Sequence, residues 1–272
     1  MVQAGMTPLR EVRAPGTWRS VDFISDLHLQ VGDNETFTVW RDYLATTPAQ
    51  AVFILGDLFE VWPGDDCLGA DPGFADACAQ VLRAASSQRS IYFLHGNRDF
   101  LLGEGFAAAS GAQALDDPAL LEFGAHKVLL SHGDALCLED VDYQRFRAQV
   151  RDPAWIAALL QRPLAEREAL GRQLRAQSEA RHQTHPTYAD ADPDLTRQWL
   201  RQAGADILVH GHTHRPAEHA LGGGQVRWVL SDWDARAKPP RAEVLRLDRD
   251  GKLRRYPLAH LAPLPPLSGR GA

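Results

Sequence analysis

IYFLHGNRDF, residues 91–100, runs from a block of apolar and aromatic positions into Gly96 and then into Asn97, Arg98 and Asp99. Asn, Arg and Asp are poor strand residues and common in turns. The stretch therefore reads in one of two ways: a strand that simply ends, or a strand that delivers three polar side chains to one place. Working outward from it, the same grammar recurs. VDFIS (21–25) ends in Asp26-Leu27-His28, and AVFIL (51–55) ends in Gly56-Asp57. KVLLS (127–131) ends in His132-Gly133-Asp134, and DILVH (206–210) ends in Gly211-His212-Thr213-His214.

These runs are apolar almost without interruption, the pattern of strands buried on both faces rather than of half-exposed ones. VRWVLS (226–231) adds a sixth. Helix-length segments at about 35–46, 74–87 and 194–204 lie between them, and alternating strand and helix predicts a layered α/β domain. Residues 138–183 break the rhythm. They carry no strand signal, and PLAEREALGRQLRAQSEARH (163–182) reads as a long helix with another helix-like segment before it. Residues 140–183 hold eight Arg against six Asp and Glu, so this helical insertion is locally basic. The expected organisation is one domain over 1–260 with a helical cap at about 138–190. Residues 1–17 and the Pro-rich 261–272 are expected to be loose. No internal repeat is present.

The 272 residues suffice for one substantial core, and 44% hydrophobic content fits a globular chain. A net charge of −6 argues against nucleic acid as a partner, because phosphate backbones recruit basic surfaces. The three cysteines, Cys67, Cys78 and Cys137, lack paired spacing and are expected to be reduced. There is no apolar run long enough to span a membrane, and the N-terminal stretch lacks the apolar segment of a signal peptide. The expectation is a cytoplasmic protein that can still touch a membrane surface.

In open α/β sheets ligands bind at the carboxyl ends of strands, so the groups after these strands should converge. Asp26, His28, Asp57, Asn97, His132, His212 and His214 offer carboxylate, amide oxygen and imidazole, with no sulfur. That mixture suits Mn²⁺, Fe²⁺ or Zn²⁺. Seven donors are too many for one transition metal and about right for two sharing a carboxylate. His210 also ends a strand, but it is expected to be a hydrogen-bonded core residue rather than a ligand.

The ordered set D-x-H, GD, GN-R-D, H and GHxH over residues 21–232 resembles the calcineurin-like metallophosphoesterase superfamily. The resemblance implies two mixed β-sheets sandwiched by helices, with two metals at the sheet edge. It assigns Asp26, His28 and His214 to one metal and Asn97, His132 and His212 to the other, with Asp57 bridging. Asp57, Arg98 and His212 become the catalytic residues.

Arg98 bears on the leaving group. Many members of that superfamily carry His after this Asn, placed to protonate a departing alkoxide. Arg stays protonated and cannot do so, whereas a departing phosphate needs no proton and gains from a bidentate guanidinium. Arg98 thus points to pyrophosphate cleavage; the competing reading pairs it with Asp99 in a turn. LGDLFEVWPGDD (55–66), HGNRDFLLG (95–103), SHGDALCLEDVDYQRFR (131–147) and HGHTHRP (210–216) are similar to the UDP-2,3-diacylglucosamine hydrolases of lipid A synthesis. That resemblance implies water attack on the α-phosphorus of a UDP-linked diacylated glucosamine lipid and Mn²⁺ as the usual metal. It also implies a helical cap for the acyl chains and peripheral association with the cytoplasmic face of the inner membrane. Substrate contacts carry over to Asn97, Arg98, Asp140, Ser178 and His212. His182 and His185 stand where the family has Asn and Lys, and Pro63 replaces an aliphatic residue. WIAALL (155–160) offers an apolar helical face, either to a lipid or to the domain itself. The alternative function is a dimetal pyrophosphatase or phosphodiesterase acting on another nucleotide.

Overall fold

The computed structural model describes residues 9–69, 73–184 and 189–258, with side chains of 177–184 outside the description. In chain order its strands are β1 (Arg10–Arg13), β2 (Ser20–Ile24), β3 (Ala51–Leu55), β4 (Ser90–Leu94), β5 (Gln113–Ala114) and β6 (Ala119–Phe123). They continue with β7 (His126–Ser131), β8 (Ile207–His210), β9 (Ala217–Gly222), β10 (Gln225–Val229), β11 (Glu243–Asp248) and β12 (Leu253–Pro257). The helices are α1 (Asn34–Thr46), α2 (Phe74–Ser86), α3 (Glu104–Ser110), α4 (Val141–Val150), α5 (Pro153–Leu160), α6 (Leu164–Thr184) and α7 (Pro193–Ala203).

Two six-stranded sheets result, ordered β1-β6-β7-β8-β10-β9 and β12-β11-β2-β3-β4-β5. Both are mixed. β2, β3, β4 and β5 run parallel, and β11 joins them antiparallel to β2. In the other sheet β7, β8 and β10 are parallel, with antiparallel neighbours β6 and β9. Side-chain alternation explains the layering. Phe23, Phe53 and Leu94 from one sheet meet Leu121, Val128, Leu130 and Val209 from the other in a core between the sheets. The alternate residues Ile24, Val52, Ile54 and Phe93 face outward onto Trp40, Leu44, Leu82 and Phe106. On the far side Leu120, Leu129 and Leu208 pack on Trp199 and Leu200 of α7. The fold is therefore the expected pair of mixed sheets between helices.

The six anticipated strands are β2, β3, β4, β7, β8 and β10, and α1, α2, α6 and α7 match their helical stretches within a few residues. Six further strands did not announce themselves as apolar runs. ALLEF (β6) is built from good helix formers, and packing between sheets overrides that preference. EVLRLD (β11) is interrupted by Arg246, which is buried but paired with Asp22 of β2, Nε to Oδ1 at 2.6 Å and Nη2 to Oδ2 at 2.9 Å. β1 corrects the expectation that 1–17 is wholly loose: Arg10–Arg13 pairs in parallel with β6. α3 was also unanticipated. Residues 261–272 lie outside the described residues.

Between β7 and α7 lie three helices where two were anticipated. α4 starts at Asp140, whose carboxylate accepts from the Tyr143 N–H at 3.0 Å, a helix N-cap. α5 carries all of WIAALL, and the domain takes up much of its apolar surface. Leu159 is buried, and Trp155 and Ile156 pack against the helix-side core, with Trp155 against Phe100. Leu160 remains 41% exposed. α6 lies along the loop after β3. Arg167 pairs with Asp66 and donates to the Pro63 carbonyl, and Arg175 Nε lies 2.9 Å from Glu60 Oε1. One turn after Arg167, Gly171 faces Val61 so closely that a side chain there would collide with it.

Candidate metal centre

Five described residues other than glycine adopt positive φ: Asp26 (54°), His28 (47°), Asp57 (52°), His212 (66°) and His214 (52°). Each follows the carboxyl end of a strand, and each is an expected ligand. Left-handed backbone at a non-glycine residue costs on the order of 1–3 kcal/mol and persists where its surroundings enforce it, most often at functional sites. The glycines of the motifs provide close approach. A Cβ on Gly96 would run into the Asp57 carboxylate, and one on Gly211 into Asp26 and Ser25. The turn residues thus bring neighbouring strand ends closer than any side chain would allow.

Among the described residues two donor groups emerge, each with ligand atoms within 4.8 Å of one another: Asp26, His28 and His214, and Asp26, Asp57 and His132. Asp26 is common to both, whereas Asp57 was expected to be the shared carboxylate. Asn97 completes the second group, because its Oδ1 lies 2.9 Å from both His132 Nε2 and His212 Nδ1. His28 Nε2 and His214 Nε2 face each other at 3.3 Å, and His214 Nε2 lies 3.3 Å from Asp26 Oδ1. His132 Nδ1 is directed at the Leu55 carbonyl, 2.9 Å away, which turns Nε2 inward. All seven expected donors are therefore gathered in one place, at the carboxyl ends of β2, β3 and β4 of one sheet and β7 and β8 of the other. His210 is buried with Nδ1 2.9 Å from the Gly211 carbonyl, a core residue as expected.

The electrostatics fit a cation. Burial works to lower His132, yet the Asp57 and Asp26 carboxylates push it up to about 9. Burial works to raise Asp26, but His214, His132 and His28 together outweigh it and hold the carboxyl well below the usual range. Burial raises Asp57 to about 6 against the pull of His132 and His28. Burial, with His132 nearby, lowers His212 to about 3, which leaves its imidazole neutral and a ready donor. The carboxylates around His132 favour positive charge there, and a metal cation would supply that charge in place of a proton. Oxygen and nitrogen donors without sulfur make this a site for divalent metal ions.

The chain around the donors is held by residues that the sequence did not single out. Asp99 is fully buried and accepts from four backbone N–H groups: Gly96 at 2.8 Å, Leu58 at 2.7 Å, Asp57 at 3.3 Å and Phe59 at 3.4 Å. It binds the Asp57 loop to the Asn97 loop and is not the partner of Arg98. Arg98 instead donates through Nη1 to Glu60 Oε1 at 3.1 Å, which overturns the turn-pair reading. Glu60 also lies 3.2 Å from His28 Nδ1. Burial works to raise Glu60, but His28, Arg98 and Arg175 together hold it below the usual carboxylate range. A glutamate inside the apolar run LFEVW was the available signal for this partner. Asp140 belongs to neither donor group. The side chains of Ser178, His182 and His185 lie outside the described residues.

Over residues 19–216 the chain matches the model of the calcineurin-like phosphoesterase family. A protein of Chromobacterium violaceum named UDP-2,3-diacylglucosamine hydrolase is 45% identical over 250 residues, covering 89% of this chain and all of that one (100%). A protein of Bordetella parapertussis with the same name is 44% identical over 234 residues, 84% of this chain and 91% of its own. Among solved structures, Vacuolar Protein Sorting 29 from Cryptosporidium parvum aligns with a TM-score of 0.44 at 18% identity, over 88% of this chain and 96% of that one.

Proposed function

The chain belongs to the calcineurin-like phosphoesterase family, and from that premise we propose that it hydrolyses the pyrophosphate of UDP-2,3-diacylglucosamine to UMP and 2,3-diacylglucosamine 1-phosphate. The observation that carries a hydrolytic metal centre is the convergence of five strained, left-handed donor residues from the strand ends of both sheets. The substrate is supported by relatives at 44–45% identity that bear that name over most of their length.

Asp26, His28 and His214 would hold one divalent cation and Asn97, His132 and His212 the other, with Asp57 between them. Mn²⁺ suits this donor set. When bound, the pair lowers the pKa of the attacking water and neutralises charge on the attacked phosphoryl group. A new P–O bond forms at the α-phosphorus as the bridging P–O bond breaks. The bonding electron pair leaves with the sugar phosphate, and the water's proton passes to solvent.

Arg98 meets the departing phosphate. Glu60 takes its Nη1 and fixes the guanidinium, and the other guanidinium N–H groups are donors for the phosphate oxygens. Arg175 on α6, bound to the same Glu60, adds a second cation beside it. Asp140 caps α4 and Ser178 belongs to α6, and there the sugar and nucleotide would be contacted. Together with residues 138–190 as a cap, these helices would receive the acyl chains. Leu138, Val141 and Leu160, exposed to 46%, 53% and 41%, support a peripheral inner-membrane contact. No described helix is long and apolar enough to cross a membrane.

The test is hydrolysis of UDP-2,3-diacylglucosamine beside UDP-N-acetylglucosamine, in ¹⁸O-labelled water. The expected result is turnover of the lipid substrate only, with label in UMP. Label in the sugar phosphate would sink attack at the α-phosphorus, and equal turnover of both substrates would sink the lipid assignment.

A further inference from the structure

Helix α4 and its C-terminal cap Arg151 touch the metal-bearing strand ends at three places, and each place adjoins a different one of Asn97, His132 and His212. The Tyr143 hydroxyl donates to Asp134 Oδ2 at 2.6 Å, and Arg147 Nε donates to the same oxygen at 2.9 Å. Asp134 is buried, two residues beyond His132, and its backbone carbonyl accepts from Gln144 Nε2 at 2.7 Å. Arg151 Nη2 donates to the Gly96 carbonyl at 2.9 Å and the His95 carbonyl at 3.3 Å, immediately before Asn97. The Tyr143 ring lies 5.6 Å from the His212 ring, centroid to centroid. Tyr143, Arg147 and Arg151 recur every fourth residue and so share one face.

Apolar burial contributes little to the seating of this helix, because Val150 is its one buried residue. Its position is set by these polar contacts. Partners outside the coordination sphere orient metal ligands and tune affinity. We propose that α4 is a brace for the Asn97, His132 and His212 set, with Arg151 and Arg147 as positioning residues that maintain metal affinity at that one site. The proposal rests on the allotment of ligands to two metals given above. Arg151 orients the turn that presents Asn97, Arg147 and Tyr143 hold the turn after His132, and the Tyr143 ring packs beside His212. None of the three approaches His28 or His214 in the same way. Of the other helices of this region, α6 is joined through Arg167 to Asp66 and Pro63 and through Arg175 to Glu60, which adjoins His28 of the other ligand set.

The experiment is calorimetric titration of metal-stripped protein with Mn²⁺, alongside thermal unfolding. Wild type is expected to bind two equivalents. Arg151→Ala should keep one site at wild-type affinity and lose on the order of 10–100-fold at the other, the usual consequence of removing such a partner. Arg151→Lys, which can still reach a carbonyl, should recover part of that loss. Arg167→Ala removes a contact remote from Asn97, His132 and His212 and should leave the affinity of that site unchanged. If Arg151→Ala does not fold, Tyr143→Phe removes a single hydroxyl and should weaken the same one site. Two wild-type affinities in the variant that folds, or equal loss at both sites, would overturn the brace. A wild-type protein that binds fewer than two equivalents would instead overturn the ligand allotment, and the brace with it.

Discussion

Arg98 is held by Glu60, Nη1 to Oε1 at 3.1 Å, and not by its sequence neighbour Asp99. Both side chains are largely buried, 19% and 10% exposed, so the contact fixes a cation beside the metal centre with little solvent screening. A cation held in this way can stabilise charge as it develops on a leaving phosphate.

Arg98→Ala should therefore lower kcat/KM by roughly 10²–10³-fold, the usual loss of one preorganised donor to transition-state charge. The metal content should not change. Lys should restore part of the activity, since a point charge cannot reproduce a two-pronged contact. Arg98→His is the sharper variant. It introduces a proton donor that a phosphate leaving group does not need, so activity should stay low. Near wild-type turnover of the lipid substrate by Arg98→His would falsify the leaving-group argument.

The metals should also stabilise the fold. A ligand that binds only the folded state adds about 2.7 kcal/mol at a free concentration 100 times its Kd. Chelation should thus lower the Tm, and Asp57→Ala should do the same while abolishing nearly all turnover. In that variant the response of Tm to added Mn²⁺ should be largely lost. A variant with a full metal complement and wild-type turnover would remove Asp57 from the centre.

The buried pair Asp22–Arg246 gives a stability prediction away from the site. Asp22 also accepts from Tyr43 Oη at 3.0 Å and Thr47 Oγ1 at 2.6 Å, so the network is well satisfied. Asp22→Ala strands a buried guanidinium and should cost about 3–5 kcal/mol in urea unfolding. Replacing both partners, Asp22→Leu with Arg246→Met, should cost far less. Equal losses in the single and double variants would show that the pair's charge is not what matters.

The Asp22–Arg246 pair also shows where the sequence was silent. A central strand was legible where apolar residues were continuous, as in AVFIL, and illegible where one buried charge found its partner more than two hundred residues away, as in EVLRLD. The donors were legible because each stands at a strand end beside a turn residue. What held them was not, because Asp99, Glu60 and Asp134 act through contacts across loops that spacing does not encode. Asp99 lay within the opening stretch, yet nothing in NRD says which of its neighbours a carboxylate will serve.

Asp99 therefore carries the last prediction. Its two oxygens accept four backbone N–H groups from the turns that present Asp57 and Asn97. Hydrogen bonds to a charged group contribute about 1.5–3 kcal/mol each, and backbone donors left buried without a partner cost a similar amount. Asp99→Asn keeps the shape but puts an NH₂ where one of the acceptors stood, so at least one donor loses its partner. It should lose several kcal/mol in urea unfolding and also weaken Mn²⁺ binding, because both turns loosen together. Asp99→Ala should be worse on both counts. Metal titration beside unfolding distinguishes this joint role from a turn residue: a loss of stability with unchanged Mn²⁺ affinity would mean that the ligand turns are held by something other than Asp99.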